Sequence, residues 1–456
     1  MKKPLSKQEV KNLLQKSEHN KVRVVVADID GVMRGKFMHK QKLFSALESN
    51  FGFCNVVFGW DMVDDAYDNV EVSGWHTGYP DQEAYLDAST FRLIPWEKDL
   101  PFLIADFHNK DKNPFPACPR TLLKSIISEA EKAGFTPLFS QEFEWFNFKE
   151  NPEELYHKGF DNLKPLTSGM FGYSILKSSE YSNFFHDLFD SMEKFGIPLE
   201  GLHTETGPGV YEAAIQYCEI LEAADRAFLF KTACKEIGFR HGIISSFMAK
   251  QTQDLPGCSG HVHQSLWDLK KKNNLFFDPS DKNQMSELFK SYLAGQIHCL
   301  PHILPLYAPT INSYKRLVEG AWAPTTITWG IDNRTTAFRI LPTGKKSTRL
   351  ETRVVGSDVN PYLAMAACLA SGLYGIKNNL KLEIQPTKAN GYKDSGNGVL
   401  PTSLIEASNA MKTSPIAKEL FGRDFVNHFT KTREWEWRQF ASHVTDWEMK
   451  RYFEII

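Results

Sequence analysis

Apolar and polar positions divide the chain into a strand-rich beginning and a mixed remainder. Residues 22–28 (VRVVVAD) form a β-branched run followed by the turn-like DIDGVMRGK. This predicts a strand, a turn at Gly31 and a second strand over 36–39. Strand-like pieces recur to about Asp106 with little helical periodicity after Leu47, so a small, mostly β domain ending near residue 110 is expected. Residues 114–120 (PFPACPR) are proline-dense and predict a linker. Beyond them Leu122, Leu123, Ile126 and Ile127 fall at helical spacing, predicting a helix over 120–133 stopped by Gly134. Residues 136–148 read as a strand, and helices over 223–237 and 285–298 alternate with further strands. The pattern is α+β, with a sheet as the working surface of the larger part.

The chain has 456 residues, too many for one small core, and a formal net charge of −2. Neither a nucleic-acid nor a membrane-surface partner is expected, and the lysine run at 270–272 reads as a solvated loop. The N-terminal MKKPLSKQEVKNLLQK lacks a continuous apolar core and predicts an amphipathic helix, not a secretory signal. The most apolar helical stretch, 361–376, is shorter than the ~20 residues a bilayer crossing takes, so a buried helix is expected. Seven cysteines without a CxxC pair fit free thiols in a reducing cytosol, hence a cytoplasmic location.

Candidate chemistry sits in four short segments. In QEFEW, Glu142 and Glu144 at i and i+2 share one strand face while Phe143 and Trp145 take the other. Two carboxylates on one face repel unless a cation or proton lies between them; a solvated strand face is the plainer alternative. In HTETGPGVYE, a tight turn at Gly207-Pro208-Gly209 brings Glu205 and Glu212 together, as any hairpin with solvated acids would. In GCSGHVHQS, His261, His263 and Ser265 line one face, and the small residues Gly257, Ser259 and Gly260 point to close backbone approach to a ligand. In STRLETR, Arg349, Glu351 and Arg353 share one face, a carboxylate bracketed by guanidinium groups. A salt-bridge ladder would explain that bracket but leaves Arg316, Arg334 and Arg339 without obvious partners. Together Glu142, Glu144, Glu205, Glu212, His261 and Glu351, with the arginines, describe two or three divalent-cation sites facing a polyanion, as chemistry on a nucleoside triphosphate requires.

The succession E-x-E, E-x-GPG-x-x-E, H-x-H-x-S, NSYKR, NR, R-x-E-x-R and NPYLAMAA resembles the glutamine synthetase superfamily, in its type I-like branch, and spans nearly the whole chain. DIDGVMRGK resembles the start of that family's N-terminal β-grasp domain. The resemblance implies a β-grasp domain over 1–112 and, over 113–456, a catalytic domain with an antiparallel sheet flanked by helices. It implies Mg2+ or Mn2+, two to three per active site, with ATP as co-substrate. Glu144, Glu205 and Glu212 then fall at the cation nearer the acceptor carboxylate and amine, and Glu142, His261 and Glu351 at the cation on the nucleotide phosphates. Arg316 and Arg353 match the arginines gripping glutamate, with Gly257, His261 and Trp322 also at the substrate. Arg334 and Arg339 match those on the transferring phosphate, where Glu205 and Glu212 are also catalytic. His263, Ser265, Arg339, Lys346 and Arg349 line the nucleotide. A homo-oligomeric double ring, such as a dodecamer, follows from the same resemblance.

The departures concern the nitrogen donor. Ammonia-using members carry a glutamate within a motif resembling NSYKRLVPGYEAP; here the stretch reads NSYKRLVEGAWAPTT, with Trp322 at that place. The N-terminal acidic ammonium ligand has only Asp61 and Asp64 of FGWDMVDDAYD as substitutes, and GCSGH replaces the more common GSGMH. The C-terminal region shows no match to an adenylylation segment. An aromatic face in place of a carboxylate suits an alkylammonium or aromatic amine. The expected activity is an ATP-dependent ligase forming a γ-glutamyl amide from glutamate and an organic amine through γ-glutamyl phosphate. An ammonia-using glutamine synthetase is the alternative. A non-catalytic, lengsin-like structural protein is a third reading, against which the retained ligands and arginines speak.

Overall fold

A computed structural model describes residues 4–456. The first sheet comprises β1 (Lys21–Ala27), β2 (Met33–His39), β3 (Phe51–Cys54), β4 (Asp81–Ile94) and β5 (Leu100–His108), in the order β2-β1-β5-β4-β3. β1 and β5 run parallel, with Arg23 beside Phe102, and the other pairs are antiparallel. The expected turn between β1 and β2 is pinned by Asp28, whose Oδ1 accepts the Asp30 and Val32 amides at 3.0 and 2.8 Å. Val22, Val24 and Val26 pack beneath the helices Lys7–Lys16 and Lys40–Glu48, while Val25, Ala27, Phe102 and Ile104 belong to the main core. This sheet is therefore buried on both faces, which is why its central strands are continuous apolar runs.

The second sheet comprises β6 (Phe135–Phe148), β7 (Leu199–Thr204), β8 (Val210–Ile215), β9 (Cys218–Glu219), β10 (Ile244–Ser246), β11 (Gly260–Asp268), β12 (Trp329–Ile331), β13 (Phe338–Leu341) and β14 (Arg349–Thr352). Its order is β12-β13-β14-β11-β6-β8-β7, with β9 and β10 also paired to β6. Every pair is antiparallel except β12–β13. The helices Pro119–Lys132, Ile220–Arg240 and Pro361–Lys377 pack against β6, and Glu287–Ile303 packs on Pro361–Lys377. Both later helices run longer than the periodicity alone predicts, as tertiary packing extends them. Pro361–Lys377 is apolar all round because it is enclosed, and no helix among the described residues is long and apolar enough to cross a membrane.

The proline-dense segment before the third helix is packed, not loose. Phe115, Ala117 and Cys118 are buried, and Arg120 is 1 % exposed. Its guanidinium bonds Asp225 on the helix Ile220–Arg240 at 2.8 Å and Asp106 and Asp87 of the first sheet at 2.9 Å. Tyr362 adds a hydroxyl to Asp225 at 2.7 Å. Periodicity could not distinguish this ionic hub from a linker, because its partners lie far away in the chain.

Candidate active site

Strand register explains how distant segments meet. Glu142 and Glu144 lie on one face of β6, while Phe143 and Trp145, both fully buried, enter the core. His261 stands opposite Glu142 across β6–β11, Glu351 opposite His263 across β11–β14, and Glu212 opposite Glu144 across β6–β8. Glu205 follows β7 in the hairpin to β8, its amide bonding the Val210 carbonyl at 2.8 Å. With a side-chain period of two, all these functional groups project from one face of the sheet.

They form two adjoining groups. In the first, His261 Nδ1 lies 3.4 Å from Glu142 Oε1 and 3.3 Å from Glu351 Oε1. Glu142, His263 and Glu351 also offer ligand atoms within 4.8 Å of one another. Burial holds His261 well below the ordinary imidazole range, helped by Arg353, and lowers His263 to about 4. Both rings are thus neutral at pH 7. His263 Nδ1 accepts from Arg349 Nε at 3.3 Å and so turns its Nε2–H towards Glu142, at 3.8 Å. His261 Nδ1 faces the same carboxylates, so both neutral rings border the place where Glu142 and Glu351 meet.

The second group is His203, Glu205 and Glu212, with Glu144 beside it. His203 Nε2 lies 2.9 Å from Glu212 Oε1, and its Nδ1 is 3.0 Å from the Thr204 carbonyl. Burial opposes the charged ring, but these partners outweigh it and raise His203 above its usual value. Tyr173, held at φ +56°, stacks on His203 with ring centroids 4.3 Å apart. Sequence reading passed over both residues. The alternation His203, Glu205 in HTE carried the same i, i+2 signal as QEFEW, whereas Tyr173 had none.

The arginines differ from the sequence expectation. Glu351 is bracketed by Arg353 (Nη1, 2.5 Å) and Arg339 (Nη1, 2.8 Å), not by Arg349. Arg339 is therefore not partnerless, and it also bonds Asp332 Oδ1 at 2.6 Å. Burial would raise Glu351, but Arg353, the histidines and Arg339 hold its carboxyl below the usual range. Arg316 is buried and donates to the Val354 and Arg353 carbonyls at 3.0 and 3.1 Å. Gly257 permits this, since a Cβ there would lie 2.3 Å from the Ala249 carbonyl oxygen and 3.0 Å from Arg316 Cγ. Arg334 is exposed, its carbonyl accepting Arg353 Nε at 3.1 Å. Lys346 is exposed in the β13–β14 turn, and Ser265 is buried, bonded to Leu138 and Trp267. Trp322, 58 % exposed at φ +57°, follows the segment carrying Arg316. Its backbone lies beside Tyr392, whose phenol burial pushes up against the pull of Arg353 and Arg316.

The donor set fits divalent cations. Burial, then Glu212, pushes Glu144 up to about 7; burial, then Glu212 and Glu351, raises Glu142 well above the carboxylate range. Burial is the larger cause of both shifts, and the neighbouring carboxylates add like charge that a bound cation would offset. Glu205 Oε2 and His261 Nε2 are buried without a hydrogen-bond partner. Carboxylate oxygens with one or two imidazoles form a set that suits a divalent cation.

A family model described as the glutamine synthetase catalytic domain matches residues 116–452. The chain is 53 % identical over 448 residues to "Type-1 glutamine synthetase 2" of Dictyostelium discoideum, covering 98 % of this chain and 86 % of that one. It is 36 % identical over 455 residues to "Glutamate--isopropylamine ligase" of a Pseudomonas species, covering 98 % of each. A solved structure titled "GmaS/ADP complex-Conformation 1" superposes with a TM-score of 0.84 at 26 % identity, covering 97 % of this chain and 99 % of the other.

Proposed function

The chain belongs to the glutamine synthetase family of ATP-dependent glutamate–ammonia or glutamate–amine ligases, and within it we propose that the nitrogen donor is an organic amine. The observation that carries this reading is Trp322, an exposed indole at the place where the family resemblance implies a glutamate in ammonia-using members. Asp61 and Asp64, the substitutes for the other ammonium ligand, are already engaged. Asp61 accepts the Val63 and Asp65 amides and the Trp435 indole, and Asp64 pairs with Arg34 at 2.6 Å. The 36 %-identical isopropylamine ligase supports the same reading. The 53 %-identical relative named as a glutamine synthetase favours ammonia, which is the second reading.

A carboxylate is a poor electrophile, so ATP activates the glutamate side chain as γ-glutamyl phosphate, and the amine displaces phosphate to give the γ-glutamyl amide. We assign Arg316 and Arg353 to the glutamate carboxylate, and Arg334 and Arg339 to the transferring phosphoryl group. The bond from Arg339 to the exposed Asp332 is weakly held and can be exchanged for phosphate. His263, Ser265, Lys346 and Arg349 are assigned to the nucleotide. Divalent cations held by Glu142, His261 and Glu351 and by Glu144, Glu205 and Glu212 would offset phosphate charge. Glu205 and Glu212 accept the proton the amine must lose, and Tyr173 and Trp322 offer aromatic surface to its organic part.

In this reading residues 1–112 form the N-terminal domain, 113–456 the catalytic domain, and copies assemble into a homo-oligomeric double ring. Cytosolic residence fits the seven cysteines, all free. The test is product analysis by mass spectrometry after incubation with ATP, Mg2+, glutamate and an equimolar mixture of ammonium and primary amines. A γ-glutamyl alkylamide as the main product supports the proposal, and glutamine as the main product refutes it.

A further inference from the structure

Behind the working face of the second sheet, polar side chains form a closed circuit inside an otherwise apolar layer. Gln264 on β11 donates to Thr352 Oγ1 on β14 at 2.7 Å. Thr352 donates to Gln296 Oε1 at 3.0 Å, and Gln296 returns a bond to Gln264 Oε1 at 2.5 Å. Tyr292 adds its hydroxyl to Gln264 Oε1 at 2.7 Å, and Gln296 also donates to the Cys368 carbonyl at 2.9 Å. All these side chains are buried, Gln264 and Gln296 at 1 % exposure. Close helix packing makes the circuit possible. A Cβ on Gly295 would come within 2.3 Å of the Ser371 carbonyl oxygen, and one on Gly375 within 2.0 Å of that of Ser291.

We propose that Gln264, Gln296 and Thr352 are positioning residues: a register lock that holds Glu351 opposite His263, and so fixes the cleft's carboxylate against its imidazole. The inference rests on the reading of Glu351 as a cation ligand. A fully apolar replacement of a buried polar network of this size is close to neutral for stability, so stability does not account for the circuit. Register does. β14 is only four residues long, and a slip of one residue would turn Glu351 into the helix layer and bring Leu350 to the cleft. Thr352 would then leave the layer, and Gln264 Nε2 and Gln296 Oε1 would each lose the bond to its hydroxyl in an apolar surround. The full circuit, Thr352 included, forms in the observed register and is broken by a slip of one residue.

The test compares wild type with the triple variant Gln264→Leu/Gln296→Leu/Thr352→Val, and with Thr352→Val and Thr352→Ser alone in case the triple variant does not fold. Hydrogen exchange of residues 349–354 is measured on the cation-free protein, and Mn2+ affinity by calorimetry. Removing the circuit should quicken that exchange at least tenfold and weaken Mn2+ binding at least tenfold, with the thermal midpoint nearly unchanged. Thr352→Ser, which keeps the hydroxyl, should behave as wild type while Thr352→Val does not. Exchange at 349–354 unaltered by both Thr352→Val and the triple variant would overturn the lock. A wild-type protein that binds no Mn2+ would instead overturn the cation reading, leaving the exchange comparison to judge the lock separately.

Discussion

Glu144 and Glu212 stand directly opposite one another across β6 and β8, two carboxylates sharing one half-buried cleft. Burial, reinforced by Glu212, holds the Glu144 carboxyl at about 7 instead of 4.5. A carboxyl raised on folding contributes stability that is complete below about pH 4.5 and lost as pH rises through about 7. The cation-free protein should therefore lose thermal stability across that window. Cation binding needs the ionised pair and has the opposite dependence, so the rise in thermal midpoint given by Mg2+ should be larger at pH 8 than at pH 6. Thermal unfolding at both values, with and without Mg2+, checks this; a pH-independent rise contradicts it.

Trp322→Glu restores a cation-attracting charge where the indole now stands. The ratio of kcat/KM for ammonia over a primary alkylamine should rise about tenfold, or ~1.4 kcal/mol, within the range of a cation–π contact. Steady-state ADP release with each donor gives the ratio. An unchanged ratio removes Trp322 from the amine site.

Arg120→Met leaves Asp106 and Asp225 buried without their main counter-charge. Losing one partner of such a network should cost about 3–5 kcal/mol in chemical unfolding. Arg120→Met with Asp106→Asn and Asp225→Asn should recover part of that loss. A near-neutral single substitution would show that the hub does not hold the two sheets together.

The parts of this molecule legible in the sequence are those whose signal is local. The i, i+2 pairs Glu142/Glu144 and His261/His263 fixed which side chains share a face, and the β-branched run over 22–28 announced β1. What periodicity could not reveal is which strands lie next to one another. Glu351 is expected between Arg349 and Arg353; the structure keeps Arg353 but supplies Arg339 from the adjacent β13 in place of Arg349. The role of Arg120 was invisible for the same reason, since Asp225 lies 105 residues away. Likewise, nothing local marks Gln264, whose partners Gln296 and Thr352 lie 32 and 88 residues away.

Titration of the cation-free protein with Mn2+, followed by electron paramagnetic resonance, tests most directly whether residues far apart in sequence cage divalent ions in one cleft. About two or three ions should bind per chain, Glu351→Gln should abolish one class of site and Glu212→Gln another. Failure of the wild-type protein to bind Mn2+, or both variants binding as wild type does, would contradict the account.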